Sequence, residues 1–392
     1  MRGACGAINA SNAFHGTTRF ISSRNCALRV LRLVRSKPRS VCFMPSLSRL
    51  HTRHASGRWL FEHHPYLPGL ISNSAKNGPL GHIVQVSVGD GNTAALADDG
   101  TIYTWGYHSG QNKTPGLVGY AKYPAQVQTS YGVLQNVVRV SAGFGFTLAL
   151  TASGEVYAWG FTQANLGGPT TGSTSSTEVA TPIIRADNGQ PLSNIVAISA
   201  GYFVSLALDS SGHVWAWGDN RYGELGQGNN SNYVGAVEVQ GSIGTAGPLS
   251  NIKMIAAGEW HCLALDAEGK VWSWGSGQNG VLGDGPNNPR GNSSSLPGAV
   301  VNTESIGQLS GVTAIAAGPY NCFALRPDGT ILAWGKQFEG TTGQGGTLSK
   351  GGSVDGQARA LYVPTPVLNQ TGGGSLSISP LSAYQNLTKA AY

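Results

Sequence analysis

The strongest constraint in this 392-residue chain is a line of sequence that returns five times in register. It reads GDGNTAALADDGTIYTWG from Gly89, GFGFTLALTASGEVYAWG from Gly143, GYFVSLALDSSGHVWAWG from Gly201, GEWHCLALDAEGKVWSWG from Gly258 and GPYNCFALRPDGTILAWG from Gly318. The opening glycine, an Ala-Leu pair, a turn glycine and a closing Trp-Gly keep the same offsets in all five copies. Self-similarity of this kind means one supersecondary unit stacked on its neighbours, because a single unit cannot bury its own apolar face.

The unit itself predicts a hairpin. Ala95 and Leu96 lie in a strand, Asp98-Asp99-Gly100 is a turn that needs positive φ, and Ile102 to Trp105 returns as the second strand. Upstream of each hairpin stands a Pro- or Val-rich strand, such as Pro124 to Val127 or Thr181 to Ile184, and then an apolar one, such as Val137 to Val140 or Ile195 to Ile198. Four strands per unit make one propeller blade. With 57 Gly and only 11% charged residues, the composition also favours short strands and tight turns over long helices. The expected fold is therefore all-β, a propeller of at least five blades, six or seven if complete.

The closing glycines at 106, 160, 218, 275 and 335 are 54, 58, 57 and 60 residues apart. Propellers of the WD40 kind repeat at about 40 to 45 residues and kelch at about 50. The recurrent Gly-x-x-x-Thr/Ser/Cys-x-Ala-Leu…Trp-Gly line, followed by Asp219-Asn220-Arg221-Tyr222-Gly223-Glu224-Leu225-Gly226, closely resembles the RCC1 (regulator of chromosome condensation) repeat over residues 65 to 370. That resemblance implies a ring of seven blades. Five full units run from 65 to 361, and a truncated sixth is read from about 362, where Thr365-Pro366-Val367-Leu368 and Asn386 to Tyr392 match the start of another copy. Ser56 to Phe61 echoes Ser153 to Tyr157 and could lend a strand to close the ring.

Residues 1–60 read as a separate segment, disordered or helical, before a propeller over 61–392. They hold ten Arg and one Lys without a single acid, which leaves 14 of the 25 basic residues to face all 19 acidic ones in the body. The body is acid-leaning, so no direct nucleic-acid binding is expected of it. Between Arg24 and Arg39 five arginines share one arc of a helix, opposite Val30, Leu31, Leu33 and Val34. That pattern fits a mitochondrial transit peptide. In-frame translation of DNA upstream of the true start fits it equally, with a cytoplasmic or bacterial-surface location then expected. No apolar run is long enough for a transmembrane segment.

No residue is singled out as catalytic, cofactor-binding or metal-ligating. Cys262 and Cys322 occupy the column that holds Thr93, Thr147 and Ser205 elsewhere, which wants a small side chain. Cys5, Cys26 and Cys42 lie in the head, and no cluster of a zinc site or disulfide framework occurs. His82, His108, His213 and His261 fall at unrelated repeat positions and read as surface or turn residues. Thr170 to Thr177 and Asn292 to Ser295 read as loops without the context of a nucleophile elbow. Gly277 to Gly285 lacks the Lys-Ser/Thr ending of a phosphate loop. Asp219 and Asp284 do not repeat as a calcium set would. Trp215 with Trp217, and Trp272 with Trp274, read as packing residues, although one plant relative of the RCC1 type uses packed tryptophans to absorb ultraviolet light.

The expected function is a non-catalytic protein-interaction scaffold that presents loops differing between copies, with no cofactor. Lys336 to Leu361 is the longest such loop and the first place to look for a protein partner. The founding RCC1 protein exchanges nucleotide on the small GTPase Ran, so the resemblance implies a guanine nucleotide exchange factor as the alternative. An enzyme or carbohydrate-binding propeller using its central channel is the second alternative.

Overall fold

The computed structural model describes residues 70–73, 78–107, 120–160, 177–285, 289–336, 360–368 and 375–376. Within them lie five four-stranded antiparallel sheets, each a simple meander. Blade 1 consists of β1 (Ile83–Val88), β2 (Asn92–Ala97), β3 (Ile102–Tyr107) and β4 (Tyr120–Gln126). A small hairpin follows, β5 (Gln128–Thr129) with β6 (Gly132–Val133). Blade 2 has β7 (Val137–Ala142), β8 (Phe146–Thr151), β9 (Val156–Gly160) and β10 (Thr177–Pro182). Blade 3 has β11 (Ile195–Ala200), β12 (Val204–Asp209), β13 (Val214–Gly218) and the short β14 (Val237–Glu238). Blade 4 has β15 (Ile252–Ala257), β16 (His261–Asp266), β17 (Val271–Ser276) and β18 (Ser293–Ala299). Blade 5 has β19 (Ala314–Ala317), β20 (Asn321–Leu325), β21 (Ile331–Lys336) and β22 (Ala360–Pro366). The all-β propeller expected from the repeat is the fold observed.

The sequence unit and the blade are out of phase by one strand. The Pro-containing strand joins the hairpin before it, as Tyr103 opposite Gln126 and Ala333 opposite Thr365 show. A blade therefore starts at its apolar strand, and the segment read as opening a sixth unit supplies the outer strand of blade 5. Asn292 to Ser295, read as loop, leads into and begins β18, where Ser293 and Ser294 pair with Ser276 and Gly275. Ser56 to Phe61, His108 and residues 337–359 of the long loop fall outside the described residues.

The core sits between blades rather than within them. Four apolar clusters occupy the four joints, and each contains a Trp of the Trp-Gly column: Trp159, Trp217, Trp274 and Trp334. These four indoles are buried, whereas Trp105 of blade 1, with no preceding blade among the described residues, is half-buried. Directly across the hairpin from each Trp stands Thr93, Thr147, Ser205, Cys262 or Cys322. A small residue is required there because the indole needs the room. Trp215 and Trp217 fall in one joint, as their spacing of two requires, and the Trp215 and Trp272 indoles donate to Asp209 and Asp266 at 3.1 and 3.0 Å.

The glycines that open the first three copies let the blades touch. A Cβ on Gly89, Gly143 or Gly201 would lie 2.0, 2.3 or 2.2 Å from the carbonyl oxygen of the opening glycine of the next blade. At the other end of each joint, the carbonyls of turn glycines 100, 154, 212 and 269 accept the N–H of Val137, Ile195, Ile252 and Val312, all at 3.0 Å. The residue just before each of those N–H groups is Asn136, Asn194, Asn251 or Gly311, with φ between 58° and 66°. Asn and Gly are the residues that accept this left-handed conformation most readily.

Candidate partner-binding face

Antiparallel strands alternate in direction, so the first and third connections of each blade emerge on one face and the hairpin turns on the other. The first connections follow the opening glycines and carry Asp90, Phe144, Tyr202-Phe203, Glu259-Trp260 and Pro319-Tyr320. The third connections on the same face include the loop from Asp219 to Ala236, and the strand ends Lys336 and Ala360 of blade 5 also lie there.

The aromatic side chains on this face form a row that crosses from blade to blade. Phe144 stacks on Tyr202 with ring centroids 5.2 Å apart, and Phe203 stacks on Trp260 at 4.0 Å. From the third connection of blade 3, Tyr222 meets Trp260 edge-on at 5.6 Å and the Arg221 guanidinium lies 4.8 Å over the same ring. Arg221 is itself paired with Asp219 at 2.6 Å. These rings are only partly buried, so they offer apolar surface as well as support for one another.

Blade 5 extends the row with polar ends. The Glu259 carboxylate accepts a hydrogen bond from the Tyr320 hydroxyl, which pushes that phenol up to about 12. Burial holds the Glu259 carboxyl above its ordinary range, with Trp260 Nε1 donating to it at 3.2 Å. Lys336 caps the cluster with its ammonium 4.9 Å from the Tyr320 ring centroid. The arrangement is a rigid platform with an apolar centre and a charged rim, which is the anatomy of a protein interface.

The loop Asp219 to Gly226 is held from beneath. Asn220 Nδ2 donates to the carbonyls of Asn229 and Ser231 at 3.2 and 2.6 Å, and its Oδ1 accepts the Leu225 N–H at 2.9 Å. The backbone carbonyl of Glu224 accepts the Trp274 indole N–H at 2.7 Å. One blade on, Val281 of the Gly277 to Gly285 turn takes the same place, its carbonyl accepting Trp334 Nε1 at 2.9 Å. That segment is thus a structural turn, with a short 3-10 stretch at Gln278–Gly280.

His261 departs from its expected place in a surface or turn. It opens strand β16, is buried, and approaches Cys322 Sγ with Nε2 at 3.1 Å across the joint to blade 5. Its repeat position is the one from which Asn92 donates to Phe146 O and Thr147 Oγ1 of the next blade, at 2.9 and 3.1 Å. His82 and His213 do lie outside strands, with His213 Nδ1 3.0 Å from Glu238. Among the described residues no three His, Cys, Asp or Glu side chains gather into a group that could hold a metal ion, and no helix is long and apolar enough to cross a membrane.

The aromatic row was missed in the sequence, where the more regular Trp-Gly column drew attention. Its signal is the pair of positions after each opening glycine, which holds an aromatic residue in four of the five copies, of a different kind or in a different place each time.

A family model described as an RCC1-like domain matches residues 53–375. Protein pim1 of Schizosaccharomyces pombe is 30% identical over 290 residues, covering 69% of this chain and 50% of pim1. The Arabidopsis thaliana RCC1 domain-containing protein RUG3, mitochondrial, is 32% identical over 266 residues, covering 65% of this chain and 54% of RUG3. The chain thus spans about half the length of these two relatives. The solved structure of Prp20p from Saccharomyces cerevisiae, described together with its binding properties to Gsp1p and histones, superposes with a TM-score of 0.56 at 24% identity over 74% of this chain and 67% of that one. Human WBSCR16 gives the same values. At that identity the two structures speak for the fold.

Proposed function

Because this chain belongs to the RCC1-like domain family, whose domains are protein-interaction modules rather than enzymes that make or break bonds, we propose that it docks a small GTPase and accelerates its nucleotide exchange. The observation that carries the reading is the half-exposed aromatic row from Phe144 to Trp260, confined to one face and braced by Arg221 and Tyr222. Large rings with pre-set geometry are the side chains that anchor interfaces, since little entropy is lost when a partner covers them. Exchange needs no catalytic side chain. A surface that binds the nucleotide-free GTPase more tightly than the GDP-bound form lowers nucleotide affinity by the same factor, through linkage.

The test is release of labelled GDP from a panel of small GTPases of the same organism. The chain accelerates release from at least one of them, and Trp260→Ala or Phe203→Ala reduces that acceleration about 30-fold, the consequence of losing an anchor worth about 2 kcal/mol. No acceleration across the panel sinks the proposal. The Arg-rich, acid-free residues 1–60 and the mitochondrial relative RUG3 support an address in the mitochondrial matrix. A mature N-terminus between about residues 40 and 60 that is not an initiator methionine is the expected finding, and an intact basic head or a start at the initiator Met44 refutes it.

A further inference from the structure

Glu224 is a buried carboxyl at the position where the next blade carries a valine. Glu224 and Val281 are equivalent residues of successive blades: each follows the loop glycine, and each offers its carbonyl to the Trp-Gly indole of the next blade. Cys262 and Cys322 also donate their thiols to those two carbonyls, at 3.5 and 3.4 Å. The backbone anchors match. The side chains differ, a valine in one blade and a fully buried carboxyl in the other.

That carboxyl is half satisfied. Its Oε2 accepts the Tyr222 N–H at 2.9 Å, while Oε1 is buried without a hydrogen-bond partner. A neutral acid is tolerated in such a place, but a carboxylate there has exchanged its water for backbone N–H groups alone, those of Tyr222 and of Glu224 itself, with Oε1 left unpaired. The titratable groups around it are Asp219, Arg221 and Tyr222 from its own loop, and Cys262 from strand β16 of blade 4. Asp219 disfavours the charge and Arg221 favours it, but Arg221 is already paired with Asp219. His261, on the same strand as Cys262, turns its Nε2 to Cys322.

We propose that Glu224 is a proton-operated latch on this face: neutral, it seats the Asp219 to Gly226 loop on blade 4 and holds Arg221 and Tyr222 against Trp260, and its ionisation lifts the loop and takes that cluster apart. Tyr222 is two residues away and tied to the carboxylate by its own N–H, so the carboxyl cannot leave its hole without moving the ring. The consequence for partner binding rests on the reading of this face as the docking surface.

The direction follows from proton linkage. Burial pushes the Glu224 carboxyl up to about 8, whereas in an opened loop it returns towards its ordinary 4.5. Between those values the closed loop holds a proton that the open loop releases, so each pH unit favours opening about tenfold, and the effect levels off above about 8. Below about 4.5 the latch is shut in full.

Hydrogen exchange of the full chain, corrected for the intrinsic pH dependence of amide exchange, reads the opening directly. From pH 5.5 to 7.5 the opening constant of Arg221 to Leu225 rises about 30- to 100-fold, while Leu206 and Ala207 in the core of the same blade do not follow. Glu224→Gln and Glu224→Val flatten the dependence, and Val281 shows that the fold accepts valine at this position. A flat profile in the unaltered chain, or the same slope in Glu224→Gln, overturns the latch. GDP-release activity measured over the same range separates the two readings: a loop that opens without loss of activity leaves the latch standing and removes the docking role of Arg221 and Tyr222.

Discussion

Between blades 1 and 2 the inner strands are tied through oxygen and nitrogen, and between blades 4 and 5 the same repeat positions use sulfur and imidazole. Gln85 exchanges two hydrogen bonds with Val140, at 2.9 and 3.1 Å, and Ser87 Oγ accepts the Ala142 N–H at 2.9 Å. In the later joint Met254 Sδ takes the Ile315 N–H at 3.3 Å, Ala256 replaces the serine, and His261 faces Cys322 where Asn92 faces Thr147. The shared part is the set of backbone N–H groups to be satisfied and the indole to be covered. The repeat preserves those demands and lets the side chains that meet them drift, at the cost of a weak sulfur acceptor in one joint. The drift also makes one joint sensitive to acid.

The comparison is broken most severely by removing what the joints share. Trp159→Ala and Trp334→Ala each cost about 3 to 5 kcal/mol in denaturant unfolding, since both indoles are fully buried. Equal losses are expected, and a difference beyond about 2 kcal/mol would mean that the apolar halves of the two joints are not equivalent.

The joints part company in acid. Burial holds the His261 imidazole down to about 4, well under its ordinary 6.5. The unfolded chain then binds a proton that the folded chain refuses, so His261 contributes a loss of about 3 kcal/mol as pH falls from about 6.5 to about 4, opposed over part of that range by Glu224 and read as the difference between the chain and His261→Asn. His261→Asn, the residue that blades 1 and 5 carry at this position, removes that loss, and a pH-stability profile identical to that of the unaltered chain would refute the assignment.

The finest difference is one hydroxyl. Ser87→Ala costs about 1 kcal/mol by leaving the Ala142 N–H unpaired, and Ala256→Ser recovers no more than that in the later joint. A pair of melting curves decides whether sulfur and methyl have left the blade 4 to 5 joint weaker. A gain well above that from Ala256→Ser would mean that an N–H of blade 5 lacks a partner there.

Much of this architecture was legible in the residues. The turn glycines, the Trp-Gly column and the small residue facing it are demands of the backbone and of volume, so they recur in every blade and show in a single sequence. The asparagines at 136, 194 and 251 carried an equally regular signal that was not recognised: a left-handed residue before each inner strand. The phase of the blade was not legible, because a repeat reads the same from any starting strand and only hydrogen-bond pairing tells which hairpin the proline strand joins. The candidate face was legible least. Its rings come from positions that differ between copies, and they form a surface only when successive blades bring Phe144 to Tyr202 and Phe203 to Trp260.

What the sequence by itself determined is whatever each blade needs alike: a meander of four strands, a glycine where two backbones meet, an indole to fill each joint. What only the tertiary structure decided is whatever depends on two different blades at once, the burial of His261 against Cys322, the aromatic row, and the carboxyl of Glu224 in a hole that its neighbour fills with valine. The physical reason is that periodic constraints repeat along the chain and can be read there, whereas desolvation and ring contact depend on neighbours that lie some 55 to 60 residues away.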